Sequence, residues 1–289
     1  MSGWPALHAA RAHSAALRLP FVIDGRKVGS VARSVTPRLA AWADALQVTE
    51  RTVTLHAAPD QRDVTLAALN AQLRAEGLIT GWRDEIFAVI DPATGLTLAC
   101  IERAAARFWG TLTRGAHANG YVADASGRPT HLWIAQRAED KATDPGLFDN
   151  LVGGGVPSHQ TPLQTLRREA WEEAGLADED LRDIRPGSVL RLLRDVPEGL
   201  QFEDLHAHDI ALPPGRVPVN QDGEVQGFRC LPVAEALALA RGEQMTVDAA
   251  LVTLDFAWRH GLLAAVEGAQ IGAQLTALFA PAHLGHQTA

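Results

Sequence analysis

The sequence predicts an α/β (α+β) protein in which a mixed sheet lies between helices and follows a smaller α/β domain. The chain has 289 residues, enough for two domains with separate cores. Strand-like and helix-like segments alternate up to about residue 105, and a second strand-rich region begins near Gly115. Hydrophobic content of 47% with 21% charged residues is typical of a globular protein. We therefore predict an accessory domain at 1–110 and a main domain at 111–289.

The leading domain contains hairpin and helix signals. Asp24-Gly25 lies between two apolar runs, and Gly95 separates two more, so both predict hairpins. Asp63 is positioned to cap a helix that Gly77 closes. The predicted helices cover 5–18, 36–46 and 63–75, and the predicted strands 21–23, 28–31, 52–55, 85–90 and 96–101.

The second region repeats the pattern with longer strands. Alternating apolar residues predict strands, and apolar residues at helical spacing predict helices. The predicted strands are 116–122, 130–135, 149–152, 188–194, 205–212 and 225–230, and the predicted helices 162–174, 233–240, 247–260 and 271–279.

Composition excludes several classes of partner. A net charge of −8 without a basic stripe argues against nucleic acid. No apolar run approaches the roughly 18 residues of a membrane span. Cys100 and Cys230 are far apart with apolar neighbours, so we expect buried reduced thiols. The acid-poor first twenty residues are similar in composition to a transit peptide, but Pro20 leads directly into a strand pattern, and a cytoplasmic protein is the default expectation.

Three carboxylates on one short helix point to metal chemistry. At about 100° per residue, Glu169, Glu172 and Glu173 fall within roughly a third of the helix circumference. Ionised neighbours repel each other, which favours a divalent cation among them. Hard oxygen ligands favour Mg²⁺ or Mn²⁺, and such a cation usually also holds phosphates. A glycine loop at 153–155 precedes the helix, and a backbone carbonyl near Gly154 is a further candidate ligand.

The helix has clear start and stop signals. Thr161 is the predicted N-cap, Pro162 suits the first helical position, and Gln164 completes a capping box. Gly175 ends the helix. The predicted buried stripe consists of Leu163, Leu166, Ala170 and Ala174.

This segment resembles the signature of Nudix hydrolases. Gly154 and the run Arg168-Glu169-Ala170-Trp171-Glu172-Glu173-Ala174-Gly175-Leu176 fall in register with it. The five fixed letters match by chance about once per million positions. The resemblance implies an α/β/α sandwich with a mixed sheet, and metal-dependent attack of water on a diphosphate. In that interpretation Glu169, Glu172 and Glu173 bind the metal, and Arg168 pairs with a neighbouring glutamate to fix its rotamer.

One motif position departs from the family. Gln160 stands where the pattern has its first glutamate, so an uncharged amide replaces a carboxylate. We interpret this as a perturbation of activity and not its loss. A non-catalytic binding module remains the alternative, as does an isomerase of the isopentenyl diphosphate type, for which Cys100 is loosely placed.

Further blocks are similar to one branch of Nudix proteins, whose members carry an extra N-terminal domain. In some fungi the same two domains precede a thiamine pyrophosphokinase. The resemblance implies a diphosphatase acting on thiamine diphosphate or its oxo and oxy analogues. A nucleoside diphosphate derivative such as ADP-ribose or NADH is the alternative substrate. The blocks are 101–105, 115–122, 132–134, 141–150 and 220–225.

Several residues are weaker candidates. Glu224, in the turn Asp222-Gly223-Glu224, is either a general base, as in some Nudix enzymes, or a solvated turn residue. Arg137 and Lys141 are candidates for the diphosphate. His117 and Asn119 share one strand face and either bind a heteroaromatic ring or have structural roles.

Other residues are expected to be structural. His206, His208 and Asp209 are explained by alternation on an exposed strand, and Trp109, Trp133 and Trp171 are expected in the core. The expected partner is a small diphosphate. The leading domain forms part of its pocket or a homodimer interface, and the sequence does not choose between these.

Overall fold

The computed structural model describes residues 3–141 and 143–281. Within these ranges it has eight α-helices and thirteen strands. The helices are α1 (Pro5–Ala9), α2 (Thr36–Leu39), α3 (Arg62–Ala75), α4 (Arg103–Trp109), α5 (Pro162–Ala174), α6 (Val233–Arg241), α7 (Val247–Arg259) and α8 (Ala265–Thr276). The strands are β1 (Arg18–Ile23), β2 (Arg26–Ala32), β3 (Leu46–Val48), β4 (Val53–Leu55), β5 (Ile86–Ile90), β6 (Thr97–Glu102), β7 (Leu112–Ala123), β8 (Pro129–Arg137), β9 (Phe148–Asp149), β10 (Val152–Gly155), β11 (Arg185–Val196), β12 (Gly199–Ala211) and β13 (Val225–Pro232).

The first sheet has four strands in the order β2-β1-β4-β3. Its β1–β2 hairpin turns at Asp24 and Gly25, whose φ angles are 53° and 71°. Both turn residues have positive φ, as the tight turn favoured by right-twisted strands requires. The predicted hairpin is therefore confirmed.

The second sheet has nine strands and is mixed. The long strand β7 pairs in parallel with β12 and antiparallel with β5, β8 and β10. The β5–β6 hairpin, which precedes residue 110, joins this sheet through the pairing of Ile90 with Leu112. Strand pairing thus crosses residue 110, the predicted boundary between the two domains. The boundary itself remains a prediction.

Helices cover both faces of the main sheet. On one face α5 buries Leu166, Ala170 and Ala174 completely. On the other, α7 contributes a fully buried run to a core that also includes α1 and α6. The α/β/α sandwich is confirmed. Leu163 is 40% exposed, so its place in the predicted buried stripe is wrong.

Two predicted helices are much shorter in the structure. The helix predicted at 5–18 stops at Ala9, because the carbonyls of Ala10 and Ala12 accept hydrogen bonds from Leu193 and Asp195 of β11. The helix predicted at 36–46 stops at Leu39, because Leu46 pairs with Leu55 as a strand. In both cases the backbone forms hydrogen bonds with a strand, β11 or β4, and these bonds replace those of the predicted helix.

Several burial predictions are also wrong. Cys230 is exposed and Cys100 only partly buried. Trp109 is fully buried as predicted, but Trp171 is 55% exposed. The predicted exposed strand with His208 is the interior strand β12, between β11 and β7. Among the described residues, no helix combines the length and apolar character needed to span a bilayer.

Candidate active site

Local signals place the acidic helix α5 as predicted. The Thr161 side chain accepts a hydrogen bond from the Gln164 backbone N–H, and the Gln164 side chain accepts one from the Thr161 N–H. Gly175 ends the helix with φ 62°. The capping box and the glycine stop are both confirmed.

The three glycines before α5 form strand β10, so the predicted glycine loop is wrong. They pair antiparallel with residues 115–117 of β7. A methyl group on Gly154 would lie 2.3 Å from Glu169 Oε1, and one on Gly153 would lie 2.9 Å from the His117 ring. Gly155 is similarly close to Phe87. The glycines therefore leave space for functional side chains, and their role is not to form a turn.

The glutamates of α5 have different protein partners. Glu173 Oε2 accepts a hydrogen bond of 2.9 Å from the Gly153 N–H, which ties α5 to β10. Arg168 donates to Glu172 at 2.5 Å and to Glu169 at 2.7 Å. The predicted pairing of Arg168 with a neighbouring glutamate is confirmed, and it involves two of them.

Burial and mutual repulsion shift the acidity of these groups. Burial, together with the charge of Glu172, raises the pKa of Glu169 to about 7, although Arg168 opposes the shift. Burial and the charge of Glu169 raise the pKa of Glu173 well above its usual value, although the hydrogen bond from the Gly153 N–H acts to lower it. The protein surroundings alone therefore disfavour the ionised forms of Glu169 and Glu173, and a cation bound beside them would favour those forms.

A cleft of about 400 Å³ opens beside this cluster. Its wall combines acidic and basic side chains, so that a phosphate in the cleft would meet several cations. The basic residues are Arg83, Arg103, Arg137, Lys141 and Arg168, and the acidic ones Asp84, Glu85, Glu169, Glu172, Asp222 and Glu224. We call this space the outer cleft.

The structure brings Glu224 and Lys141 together in the outer cleft. Their side chains form an ion pair that joins the 222–224 turn to the segment after β8. Burial acts to raise the pKa of Glu224, but the hydrogen bond and charge of Lys141 outweigh it and lower the pKa. Glu224 is thus held ionised beside the α5 carboxylates.

Arg137 lines the cleft but also fastens a loop. It donates to Asp149 at 2.9 Å and to the backbone carbonyls of Thr143 and Asp144. Three of its donors are therefore in use, and its contact with a diphosphate stays a prediction.

His117 and Asn119 lie in different surroundings. His117 lines a second cavity beside β10 and donates from Nδ1 to Asn150 Oδ1. Asn119 is 2% exposed, donates to the Val252 carbonyl and accepts from Asn150. These hydrogen bonds give Asn119 a structural role in the interior, and the predicted contact of His117 and Asn119 with a ring stays a prediction.

Gln160 and Cys100 lie outside the lining of the outer cleft. Gln160 Oε1 accepts from the hydroxyl of Thr165, in the first turns of α5 and about 10 Å along the helix from Glu172. Cys100 lies on β6, where its backbone N–H donates to Asp63, which therefore does not cap α3.

Sequence reasoning missed Arg103, the first residue of α4. Its guanidinium pairs with Glu85 at 2.8 Å and lies 5.6 Å from the Phe87 ring centroid. A methyl group on Gly155 would lie 3.3 Å from its Cζ. Arg103 follows Glu102 in a block already similar to Nudix proteins, but the predicted domain boundary separated it from the site.

Comparison with known proteins agrees with this architecture. The protein-family model described as NUDIX domain matches residues 113–250. A second family model, described as Domain of unknown function (DUF4743), matches residues 6–113. Two Arabidopsis thaliana proteins match most of the chain. Nudix hydrolase 24, chloroplastic, is 36% identical over 256 residues, covering 85% of this chain and 68% of the relative. Nudix hydrolase 20, chloroplastic, is 34% identical over 263 residues, with the same coverages.

Solved structures are similar at lower identity. A Deinococcus radiodurans protein is 23% identical with a TM-score of 0.47, covering 58% of this chain and 97% of its own. A C. elegans Ap4A hydrolase is 14% identical with a TM-score of 0.40, covering 52% and 99%.

The sandwich fold and the acidic helix define a hydrolase of the α/β/α class. The identity with the two plant proteins over most of the chain makes the assignment specific. The chain belongs to the Nudix hydrolase family.

Nudix proteins generally use divalent metals such as Mg²⁺, and the donors of this cluster fit one. Glu169, Glu172 and Glu173 offer only oxygen ligands, and two of them are buried with raised pKa values. In the described part of the chain, however, no three acidic, His or Cys side chains converge on one point. A shared cation therefore requires these side chains to move, and Arg168 holds two of them.

Proposed function

We propose that this chain is a Mg²⁺- or Mn²⁺-dependent diphosphatase whose substrate is thiamine diphosphate or an oxo or oxy analogue. Water bonds to the terminal phosphorus, the P–O–P bond breaks, and a monophosphate and free phosphate leave. The observation that carries the proposal is the position of the α5 carboxylates, which lie between the close-approach glycines of β10 and a cation-lined cleft.

The metal is assigned to Glu169, Glu172, Glu173 and the Gly154 carbonyl. It would supply positive charge to phosphoryl oxygens, where charge spreads in the transition state. Glu173 is prepositioned by the Gly153 N–H. Gly154 permits the approach of Glu169 to β10, since any side chain there would overlap the carboxylate.

Basic side chains around the outer cleft bind the remaining phosphate charge. Lys141 and Arg103 both line the cleft and come from different elements, one after β8 and one from α4. Each already holds a carboxylate, Glu224 and Glu85 respectively, which positions its side chain before substrate arrives. Charge-assisted bonds of this kind are shorter and stronger than neutral ones.

Glu224 is assigned as the proton acceptor for the attacking water. It lines the same cleft as the α5 carboxylates, and Lys141 keeps it ionised. A base must be within hydrogen-bond reach of its water in the complex, so Glu224→Gln is the direct test of this role.

The identity of the substrate rests on the sequence blocks that this chain shares with one Nudix branch. The names of the plant relatives state a Nudix hydrolase and no substrate. A small-molecule substrate and a cytoplasmic location complete the proposal, and a homodimer stays open.

The test is a screen of diphosphates with Mg²⁺. Thiamine, oxythiamine and oxothiamine diphosphate release free phosphate if the terminal bond is cut. ADP-ribose and NADH release it only after an added phosphatase acts on the monophosphate products. The proposal predicts direct phosphate release from thiamine-type substrates. Turnover confined to the phosphatase-coupled arm would contradict the thiamine assignment, and no turnover in either arm would contradict the diphosphatase.

A further inference from the structure

A second cavity lies beside β10 and shares part of its lining with the outer cleft. Its volume is about 120 Å³, and Arg103, Arg137 and Gly153 line both spaces. An apolar cavity of about 150 Å³ accommodates a benzene ring, so this space matches one heteroaromatic ring. We call it the inner chamber.

Three carboxylates that line the inner chamber lack a cationic partner, and two of them, Glu203 and Asp248, are partly buried, whereas Asp144 is exposed. Glu203 and Asp248 both line it, and the Gln201 side-chain amide donates to Glu203 at 2.9 Å and to Asp248 at 3.0 Å. Within 3–141 and 143–281, no Lys, Arg or His nitrogen lies within 4.0 Å of either carboxylate. One amide is therefore shared between two acids.

The arginines that line the chamber are already paired. Arg103 binds Glu85, Arg107 binds Glu198 at 3.4 Å, and Arg137 binds Asp149. Burial and the charge of Asp248 raise the pKa of Glu203. The lining of the chamber contains four acidic side chains and three arginines, and a bound group with positive charge or N–H donors would stabilise the ionised acids.

One buried polar atom in the chamber wall also lacks a partner. The Thr111 side chain is 1% exposed, and its hydroxyl has no hydrogen-bond partner among the described residues. A buried hydroxyl without a partner costs about 1–3 kcal/mol, so such groups usually await a ligand or water. His117 is 8% exposed, and with Nδ1 bound to Asn150 it offers Nε2 as an acceptor.

The remaining wall is apolar and aromatic. Phe87, Leu200 and Phe202 line the chamber beside the carboxylates. Arg103 lies over the Phe87 ring and Arg191 over the Phe202 ring, so the unpaired carboxylates are the groups that attract a flat ring with positive charge or N–H donors. A neutral apolar ring would leave both acids and the Thr111 hydroxyl unsatisfied.

We propose that the inner chamber binds the nitrogen heterocycle of the substrate, in a cationic or N–H-rich form, with Glu203 and Asp248 as the specificity-determining residues. The orientation of the substrate, with its ring in the inner chamber, rests on the proposed function, which assigns the diphosphate to the outer cleft. The accessory segment then completes the pocket, because Phe87 and Arg103 belong to it.

Binding of the unphosphorylated ring tests the chamber independently of hydrolysis. Calorimetry of thiamine, which is cationic, is compared with 4-methyl-5-thiazoleethanol, which is neutral at pH 7. The wild-type protein should bind thiamine at least about 10-fold more tightly, since a buried charge pair usually contributes more than that. Equal binding of the two probes would overturn the proposal.

Isosteric variants locate the effect. Glu203→Gln and Asp248→Asn should each weaken thiamine binding about 10-fold or more while leaving the neutral probe unchanged. Glu235→Gln, at an exposed site in α6, is the matched control and should change neither. Melting temperatures verify that each variant is folded. Unchanged thiamine binding in both folded chamber variants would overturn the proposal.

Hydrolysis separates the two proposals. If thiamine binding depends on Glu203 but no diphosphate is hydrolysed, the inner chamber stands and the diphosphatase fails. If thiamine diphosphate is hydrolysed and Glu203→Gln leaves its kcat/KM unchanged, the diphosphatase stands and the chamber assignment fails.

Discussion

At the scale of single residues, the site depends on contacts that carry charge. Arg168 holds Glu169 and Glu172, Lys141 holds Glu224, and the Gly153 N–H holds Glu173. Each contact keeps a carboxylate oriented while leaving oxygen lone pairs available. A cation can then replace an arginine contact without rebuilding the backbone.

The glutamine at the departing motif position should be replaceable. Gln160 lies at the beginning of α5, remote from Glu172, and accepts from Thr165. We predict that Gln160→Glu changes kcat by less than about 3-fold and adds up to about 1 kcal/mol of stability, because a negative charge near a helix N-terminus is favourable. Steady-state kinetics and thermal melts measure both quantities. A large loss of kcat would show that position 160 belongs to the catalytic cluster.

A buried histidine should make stability depend on pH. Burial, with the charges of Arg114 and His208, lowers the pKa of His206 to about 4. Its unfolded-state pKa is about 6.5, so the unfolded chain takes up a proton that the folded chain refuses. Its stability contribution is complete above pH 6.5 and is lost as the pH falls towards 4, by at most about 3 kcal/mol.

Chemical denaturation between pH 4 and 7.5 measures this effect. His206→Gln should flatten the loss of stability below pH 6.5, whereas His159→Gln, at an exposed site, should not. Parallel curves for the His206 variant and the wild type would contradict the assignment.

At the scale of elements, the contact between α5 and β10 forms the site. Gly154 lets Glu169 lie against the strand, and the Glu173 carboxylate accepts from the same strand. Helix α5 and strand β10 also pack into the same hydrophobic core, since Leu166 and Val152 belong to one cluster of buried residues. Packing of apolar residues therefore sets the distance between the acidic side chains and the strand backbone.

Adding one methyl group should disturb this contact. Gly154→Ala would place a carbon 2.3 Å from Glu169 Oε1, so the glutamate must move. We predict a loss of at least about 10-fold in Mg²⁺ affinity, the usual effect of disturbing a metal's supporting groups. Gly227→Ala in β13, where nothing lies within 4 Å, is the control and should retain wild-type affinity. Equal affinities for the two variants would refute the steric argument.

Local signals account for what the sequence predicted well. The limits of α5 depend on Thr161, Gln164 and Gly175, which all lie within or next to the helix. The strand character of residues 153–155 depends on β7, more than thirty residues away, so a glycine run was interpreted as a loop. The helix predicted at 5–18 is likewise shortened by β11. Burial of Trp171 and Cys230 depends on neighbours that no local pattern specifies.

At the scale of the whole molecule, the accessory segment reaches the active site. The β5–β6 hairpin extends the main sheet, and α4 follows it directly, which brings Arg103 and Arg107 to the cavities. Gly199 of β12 lies so close to α4 that a methyl group on it would approach the Arg107 carbonyl oxygen to 2.2 Å. The segment is therefore packed tightly against the main domain.

Arg103 should contribute to substrate affinity. We predict that Arg103→Gln raises the KM for a diphosphate substrate at least about 10-fold, because it removes a charge-assisted phosphate contact. Arg128→Gln, in the exposed β7–β8 turn, should leave KM unchanged. If both variants had the same KM, the prediction would be contradicted, and the role of Arg103 would be limited to its ion pair with Glu85.

The central claim is that α5 and β10 together capture a divalent cation, and titration of the apoprotein with Mn²⁺ followed by electron paramagnetic resonance tests it most directly. We predict one or more sites in the wild-type protein, weakened at least about 10-fold in both Glu169→Gln and Glu173→Gln. Wild-type Mn²⁺ affinity in both folded variants, or the absence of bound Mn²⁺ in the wild type with and without a diphosphate, would contradict it.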